Sequence, residues 1–386
     1  MAGHGGGATA GRLCRRHRDR RPPTRVRRVR RELTPVNAVT DFFRVRPTRK
    51  QLNAELWRSR ATLGYHNLGA RTWTLGSSTR IVLEPIGLLE SLYVHVKMTV
   101  TLAAGMVLSP FAPYNLIERI QLIAPDGTLI HMLAGEHLFA LSSLRARKLQ
   151  YRQAGIFYAS PLLPISGAAQ TLEFFMLMPV AFPGSLDGIF LLNSSDGEMA
   201  LVIDWDNALF ELNNDDRVYS GPAAGSAVVT AGTSPTVTVW QAFLDSAEPP
   251  PIEPLLLRYR MEGANRITDS LAGGTERLLA YPTSRLAYAV AISYLGAGAA
   301  AIGNVSRFRR IIGSNQQLYD ANEEEHIALQ REHLSGSDLP AGLFVLAHEP
   351  VYSGFARSHQ LGLTPKNTNS GNTRFELSYE SLTPLI

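Results

Sequence analysis

Alternating apolar and polar positions occur along most of this chain and predict β-strands. Apolar side chains occupy every second position in residues 93–102, and residues 199–205, 257–261 and 374–380 alternate in the same way. A period of two is typical of a strand with one buried face. Residues 172–180 are apolar on both faces, as expected for a central strand. The pattern predicts an all-β protein.

Helical patterns are few and short. Leu52 and Leu56 mark one weak candidate in residues 48–60, and each half of the chain has another around a Glu-His dipeptide. In the second half, Asp320 or Asn322 can cap a helix whose first turn holds three consecutive glutamates, where acids suit the helix dipole.

A short pattern occurs twice and indicates a duplicated structural unit. An asparagine precedes a Glu-His dipeptide by 21 residues in each half, and the two matches are offset by 189 residues. The sequence Ala-Gly-Ile-Phe at 154–157 also returns as Ala-Gly-Leu-Phe at 341–344. Repeated spacing with diverged residues predicts one fold used twice. The residues that define the repeat are Asn115, Glu136, His137, Asn304, Glu325 and His326.

A proline-rich segment divides the two halves. Residues 249–254 read Pro-Pro-Pro-Ile-Glu-Pro, which can continue neither a central strand nor a helix. We therefore predict a basic arm at 1–59, a first β-sandwich at 60–248, a linker at 249–254 and a second β-sandwich at 255–386. Each sandwich has a helix inserted among its strands, and residues 213–235 are predicted to form a long surface loop.

The positive charge of the chain is concentrated in the arm. Residues 11–31 contain eleven arginines and one acid, a net charge of +10, and residues 1–10 have no charged side chain. Since the whole chain has a net charge of +5, residues 32–386 have 5 − 10 = −5. The body of the protein is mildly acidic.

The arm is predicted to bind an anionic surface. It could neutralise nucleic-acid phosphates, lie on an anionic membrane through Val26, Val29 and Leu33, or reach over a neighbouring subunit. No aromatic residue lies among the arginines of residues 11–31, so base stacking is not indicated. The candidate contact residues are Arg15, Arg16, Arg18, Arg20, Arg21, Arg25, Arg27, Arg28, Arg30 and Arg31.

No pattern in the sequence indicates catalysis, a metal site or a cofactor. The single cysteine, Cys14, excludes an internal disulfide framework. Adjacent residues on a helix point about 100° apart, so neither Glu-His dipeptide can place both side chains on one ion. Asp204 and Asp206 flank Trp205 in an alternating stretch, which places both acids on a solvated outer face. We expect no enzyme activity and no cofactor.

The segment Ser109–Ile120 reads Ser-Pro-Phe-Ala-Pro-Tyr-Asn-Leu-Ile-Glu-Arg-Ile and leads through Pro125-Asp126-Gly127 to the first predicted helix. This segment, together with the arm, the tandem units and the linker, resembles the double jelly-roll major capsid proteins of tailless, membrane-containing bacteriophages of the tectivirus type and, more distantly, adenovirus hexon. The resemblance implies two tandem jelly rolls, each with an inserted helix.

The resemblance also implies a function in assembly. We expect a homotrimer that forms a pseudo-hexagonal capsomer of an icosahedral virion shell, assembled in the host cytoplasm. The expected partners are other copies of the chain, minor capsid or vertex proteins, and an internal membrane or genome that contacts the arm. Two alternatives remain: a jelly-roll coat protein of a small RNA virus with an RNA-binding arm, and a carbohydrate-binding or carbohydrate-active β-sandwich protein.

Overall fold

A computed structural model gives the fold of the globular part of the chain. It describes residues 49–101, 107–108, 111–146, 169–183, 185–192, 197–207, 219–220, 228–229, 235–263, 267–269, 274–280, 286–295, 305–312, 316–334, 338–347, 359–366 and 373–384. Residues 49–386 belong to one compact unit.

Strands dominate the described residues, with one α-helix before the first strand and two α-helices among the strands. In chain order the elements are α1 (Arg49–Arg60), β1 (Thr62–Thr72), β2 (Ser78–Val82), β3 (Leu88–Thr101), β4 (Val107–Leu108), β5 (Ile117–Ile123), β6 (Leu129–Leu133), α2 (Gly135–Ala146), β7 (Ala169–Pro179), β8 (Phe190–Leu191), β9 (Ala200–Trp205), β10 (Tyr219–Ser220), β11 (Val228–Val229), β12 (Thr236–Asp245), β13 (Leu257–Gly263), β14 (Ile267–Asp269), β15 (Arg277–Ala280), β16 (Leu286–Leu295), β17 (Val305–Ile312), β18 (Gln316–Ala321), α3 (Glu323–His333), β19 (Leu343–Ala347), β20 (His359–Pro365) and β21 (Thr373–Pro384).

The first half folds into a sandwich of two four-stranded arrays. One array has the order β1-β12-β3-β7, with the short strands β8 and β11 also paired to β3. The other has the order β2-β9-β5-β6. Alternate residues of β3, among them Val94, Val96 and Met98, point into the space between the arrays and are buried. This inner face is the one that the alternating pattern predicts.

The second half repeats this arrangement strand for strand. Its arrays are β13-β21-β16-β19, with β14 paired to β21, and β15-β20-β17-β18. Six antiparallel pairings occur in both halves. In the first half they are β1–β12, β12–β3, β3–β7, β5–β6, β5–β9 and β2–β9. Their counterparts in the second half are, in the same order, β13–β21, β21–β16, β16–β19, β17–β18, β17–β20 and β15–β20. The helices α2 and α3 also occupy matching places, after β6 and β18. The predicted fold class, two tandem jelly rolls with inserted helices, is confirmed.

The two sandwiches are joined through their sheets. Strand β13 lies parallel to β6, with Glu262 opposite Met132, so that β13-β21-β16-β19 and β2-β9-β5-β6 form one nine-stranded sheet together with β14. Between the arrays of the second sandwich lies a separate core of mainly aromatic and branched side chains, including Tyr294, Phe308 and Phe344.

The first helix closes one end of the first sandwich. Trp57 of α1 is buried in a small cluster with Leu88, Leu186, Ile189 and Leu244. Its indole N–H donates to the carbonyl of Glu248 at 3.0 Å. This places the end of α1 beside the chain that enters the proline-rich segment.

Candidate functional site

Helix α2 lies at the junction between the two jelly rolls. It packs on its own strand β7 and also on β16, β19 and β21 of the second half. Its first residue must be small, because a Cβ at Gly135 would lie 2.1 Å from the carbonyl oxygen of Tyr114. On the side facing β7, the Ser142 hydroxyl donates to the carbonyl of Leu177.

The side of α2 that faces the second jelly roll is buried and carries His137. The Nδ1 atom of His137 lies 2.6 Å from the hydroxyl oxygen of Ser378 in β21, and both residues are fully buried. The apolar side chains of α2 belong to a hydrophobic core that extends into the second half. This shared core includes Leu138, Ala140, Leu141 and Leu144 of α2 together with Ala289, Ala291, Leu343 and Val345.

A second set of buried polar groups crosses the junction at β6 and β13. The backbone N–H of Met261 donates to Nδ1 of His131 at 3.0 Å, so this nitrogen must be unprotonated. Burial lowers the pKa of His131 to about 3, with Arg260 adding to the shift and the carbonyl of Pro179 opposing it. Beside it, within the second jelly roll, the Tyr259 hydroxyl donates to Glu380 Oε1 at 2.7 Å. The junction therefore contains specific hydrogen bonds in addition to apolar contact.

The junction also brings two backbones together closely at Gly188. This residue has a φ of +77°, and a Cβ on it would lie 2.5 Å from the backbone nitrogen of Tyr259. The Gly188 N–H donates to the carbonyl of Pro254, the last residue of the proline-rich segment, at 3.2 Å. Only glycine satisfies both the conformation and the spacing.

Helix α3, the counterpart of α2, has a buried side and an exposed side. On the buried side, His326 stacks on Phe308 at a centroid distance of 4.4 Å, and its Nδ1 lies 2.6 Å from the Tyr319 hydroxyl. Burial lowers the pKa of His326 to about 4. At the helix start, Asn322 and Glu325 form a capping box, with bonds of 2.9 and 2.8 Å.

The two Glu-His dipeptides lie one residue out of phase on their helices. Glu136 and His137 are the second and third residues of α2, whereas Glu325 and His326 are the third and fourth of α3. Glu136 is buried, and Glu325 is exposed. His137 therefore crosses the junction, while His326 packs inside its own jelly roll.

Asn115 is buried in a short helical turn before β5. Asn304, residues 154–157, all the arginines of residues 11–31 and most of the loop 213–235 lie outside the described residues.

The prediction that both Asp204 and Asp206 lie on a solvated face is wrong for Asp206. Strand β9 ends at Trp205, so the alternation does not continue to Asp206, which is 8% exposed. Asp204 accepts from Arg119 Nε at 2.8 Å and from Gln121 at 3.2 Å. These contacts make Asp204 part of a surface ion pair across β5 and β9.

Among the described residues, no group of three or more His, Cys, Asp or Glu side chains is placed to hold a metal ion. Within the same part of the chain, no helix is both long and apolar enough to cross a membrane.

The fold is that of the double jelly-roll major capsid proteins. The chain is similar to the MCP of STIV, with a TM-score of 0.60 and 12% identity over 84% of this chain and 97% of that chain. It is similar to a chain of the atomic structure of Sulfolobus Turreted Icosahedral Virus, with a TM-score of 0.58 and 10% identity over 83% and 91% of the two chains. A third similar structure is PBCV-1 VP54 fitted into a reconstruction of the virophage Sputnik, with a TM-score of 0.54 and 12% identity over 83% and 93%. No protein-family model and no curated protein sequence matches the chain.

Proposed function

We propose that this protein is a viral major capsid protein that trimerises into pseudo-hexagonal capsomers and builds an icosahedral shell. The observation that carries the proposal is the strand-for-strand repeat of one jelly roll within one chain. Three copies of such a chain place six similar sandwiches around a threefold axis, which gives a nearly hexagonal tile. The similar structures named above are of capsid proteins, which supports this role.

The junction suits a rigid building block. The two jelly rolls share a hydrophobic core and are linked by the His137–Ser378 and Met261–His131 contacts. A buried, hydrogen-bonded junction favours one relative orientation of the two sandwiches. A tile that packs into a regular lattice needs such a fixed orientation.

We infer the division 1–59, 60–248, 249–254 and 255–386, with the arginines of residues 11–31 facing the inside of the shell, where they contact membrane or genome. Minor capsid or vertex proteins would join the tiles, and assembly would take place in the host cytoplasm. A tailless, membrane-containing bacteriophage is the source that the sequence resemblance suggests. The role is structural, without catalysis.

The alternatives fit less well. A second domain added to the jelly roll of a small RNA-virus coat protein would not be expected to repeat all six pairings and the inserted helix of the first. A carbohydrate-active protein would need convergent acids, and Asp204 is instead paired with Arg119.

The test is the composition of purified virions from the source of this sequence. The chain should be the most abundant virion protein by mass spectrometry, and its release under mild conditions should give particles with the mass of three chains. A chain absent from virions, or present in a few copies only, would contradict the proposal.

A further inference from the structure

We propose that one face of the first jelly roll is the docking surface for helix α3 of a second copy of this chain. The docking surface, called here the aromatic face, is the outer side of the β1-β12-β3-β7 array. The inference deepens the proposed capsomer and rests on it, because it names the two surfaces that meet between copies. The residues of the aromatic face are Tyr65, Tyr93, His95, Phe175 and Trp240.

The aromatic face presents large side chains that are held in place yet remain accessible. Tyr65 is 54% exposed, and the other four are half-buried. The rings of His95 and Phe175 stack at 4.1 Å, and those of Tyr65 and Tyr93 meet edge to face at 5.9 Å. Nε2 of His95 also lies 2.7 Å from Glu173 Oε1. Pre-ordered aromatic side chains grouped on one surface are typical of protein interfaces.

The equivalent face of the second jelly roll is already covered within the chain. The outer side of β13-β21-β16-β19 carries small and polar residues that are buried and lie beneath helix α2. They include Ala289, Ala291, Ser293, Ser378 and Glu380. In the second jelly roll this outer surface is therefore covered by helix α2, which belongs to the first jelly roll. In the first jelly roll the equivalent surface is accessible.

Helix α3 is the counterpart of α2 in the second jelly roll. The side of α3 that corresponds to the junction side of α2 is exposed. On α2, residues spaced three and four apart from His137 share its face, namely Ala140, Leu141 and Leu144, and all are buried. Counted from the helix starts, the corresponding residues of α3 are all exposed, and the large apolar one, Leu329, is 45% exposed. This helix face consists of Glu325, Ala328, Leu329 and Glu332.

The helix face belongs to the second jelly roll and the aromatic face to the first. The helix face of one copy can therefore contact the aromatic face of another copy. The helix face is exposed and the aromatic face is half-exposed in the single chain, which means that they do not cover each other there. Pairing the helix face of one copy with the aromatic face of the next repeats the internal junction in a head-to-tail manner. A head-to-tail contact closes into a ring when the rotation permits. Leu329 against the aromatic rings would be the apolar centre of the contact.

The test compares three arginine variants of the full chain by light scattering after size exclusion, over a range of concentrations. Leu329→Arg alters the helix face, and Phe175→Arg alters the aromatic face. Leu278→Arg is the matched control, because Leu278 is a leucine of similar exposure, 50%, on β15 in the other array of the second jelly roll. We expect the control to trimerise as the wild type does, and each of the other two to need about tenfold more protein to reach half-assembly. Thermal unfolding confirms that each variant is folded, and Tyr65→Arg replaces Phe175→Arg if that variant is not.

Mixing the two interface variants gives the sharpest readout. A Phe175→Arg copy still offers an intact helix face, and a Leu329→Arg copy still offers an intact aromatic face, so the mixture should form a heterodimer with one intact contact. If the wild type trimerises and both variants trimerise equally well, or if their mixture stays monomeric, the docking inference is wrong and the capsomer stands. Weakening by Phe175→Arg alone would mean that another segment or partner covers the aromatic face, which also overturns the inference. A wild type that stays monomeric refutes the capsomer itself.

Discussion

Acid should weaken the junction between the two jelly rolls through His131. This imidazole is fully buried, and its Nδ1 accepts a hydrogen bond from the Met261 N–H, so the folded protein holds it neutral. Its pKa is about 3 in the folded state, against an ordinary value of 6.5. As the pH falls below 6.5, His131 becomes protonated in the unfolded chain but stays neutral in the folded chain. Stability is therefore lost between pH 6.5 and 3.

The size of the effect follows from this pKa difference. Each pH unit inside that window costs about 1.4 kcal/mol per group. Between pH 7 and pH 5, His131 alone should therefore lower the free energy of unfolding by about 2 kcal/mol. His326, with a pKa of about 4, should add a similar loss over the same interval.

The assay isolates His131 by comparison with His131→Asn, whose side-chain oxygen can still accept from Met261. Urea unfolding at pH 7, 6 and 5 gives the free energy of unfolding for both proteins. The wild type should lose about 2 kcal/mol more than the variant between pH 7 and pH 5. An equal loss in both proteins would refute the view that His131 is held neutral at the junction.

Three further predictions concern a helix cap, the junction and the arm. Asn322→Ala removes the capping box of α3 and should lower the free energy of unfolding by about 1 kcal/mol in urea titrations. Gly188→Ala should lower the free energy of unfolding more than Gly127→Ala does in the same titration. Both glycines have a φ near +80°, but only Gly188 contacts Tyr259. Equal losses would contradict a close junction. Deleting residues 1–34 should leave the trimer intact but abolish either particle assembly or the association of particles with membrane or genome. Sedimentation follows both. Whole, filled particles would show that the arm is dispensable.

The regular parts of the fold are predictable from the sequence because they depend on local patterns. The alternation of β3 reports directly which face of that strand is buried, and three glutamates after Asn322 mark the start of α3. Tandem duplication is also visible, since equal spacing survives the divergence of side chains. The helix starts do not keep the same spacing to the repeated residues. The Glu-His dipeptides therefore differ by one position relative to the first residue of their helices.

The junction could not be predicted, because its contacts join residues far apart in the chain. His137 and Ser378 are 241 residues apart, and the parallel pairing of β6 with β13 leaves no mark in the periodicity of either strand. Helix α2 has apolar residues around most of its circumference, which is the one sequence signal that it is buried on two sides. The same lack of a local signal explains Asp206, whose burial depends on where β9 ends.

Electron cryomicroscopy of the full chain in its assembled state tests the central claim most directly. The account predicts a threefold-symmetric capsomer with a nearly hexagonal outline, built from six sandwiches that alternate between the first and second jelly roll of each chain. In that reconstruction α2 and α3 should each lie against the outer face of the next sandwich around the ring. A monomer, a ring of another symmetry, or sandwiches that do not alternate around the axis would contradict the account.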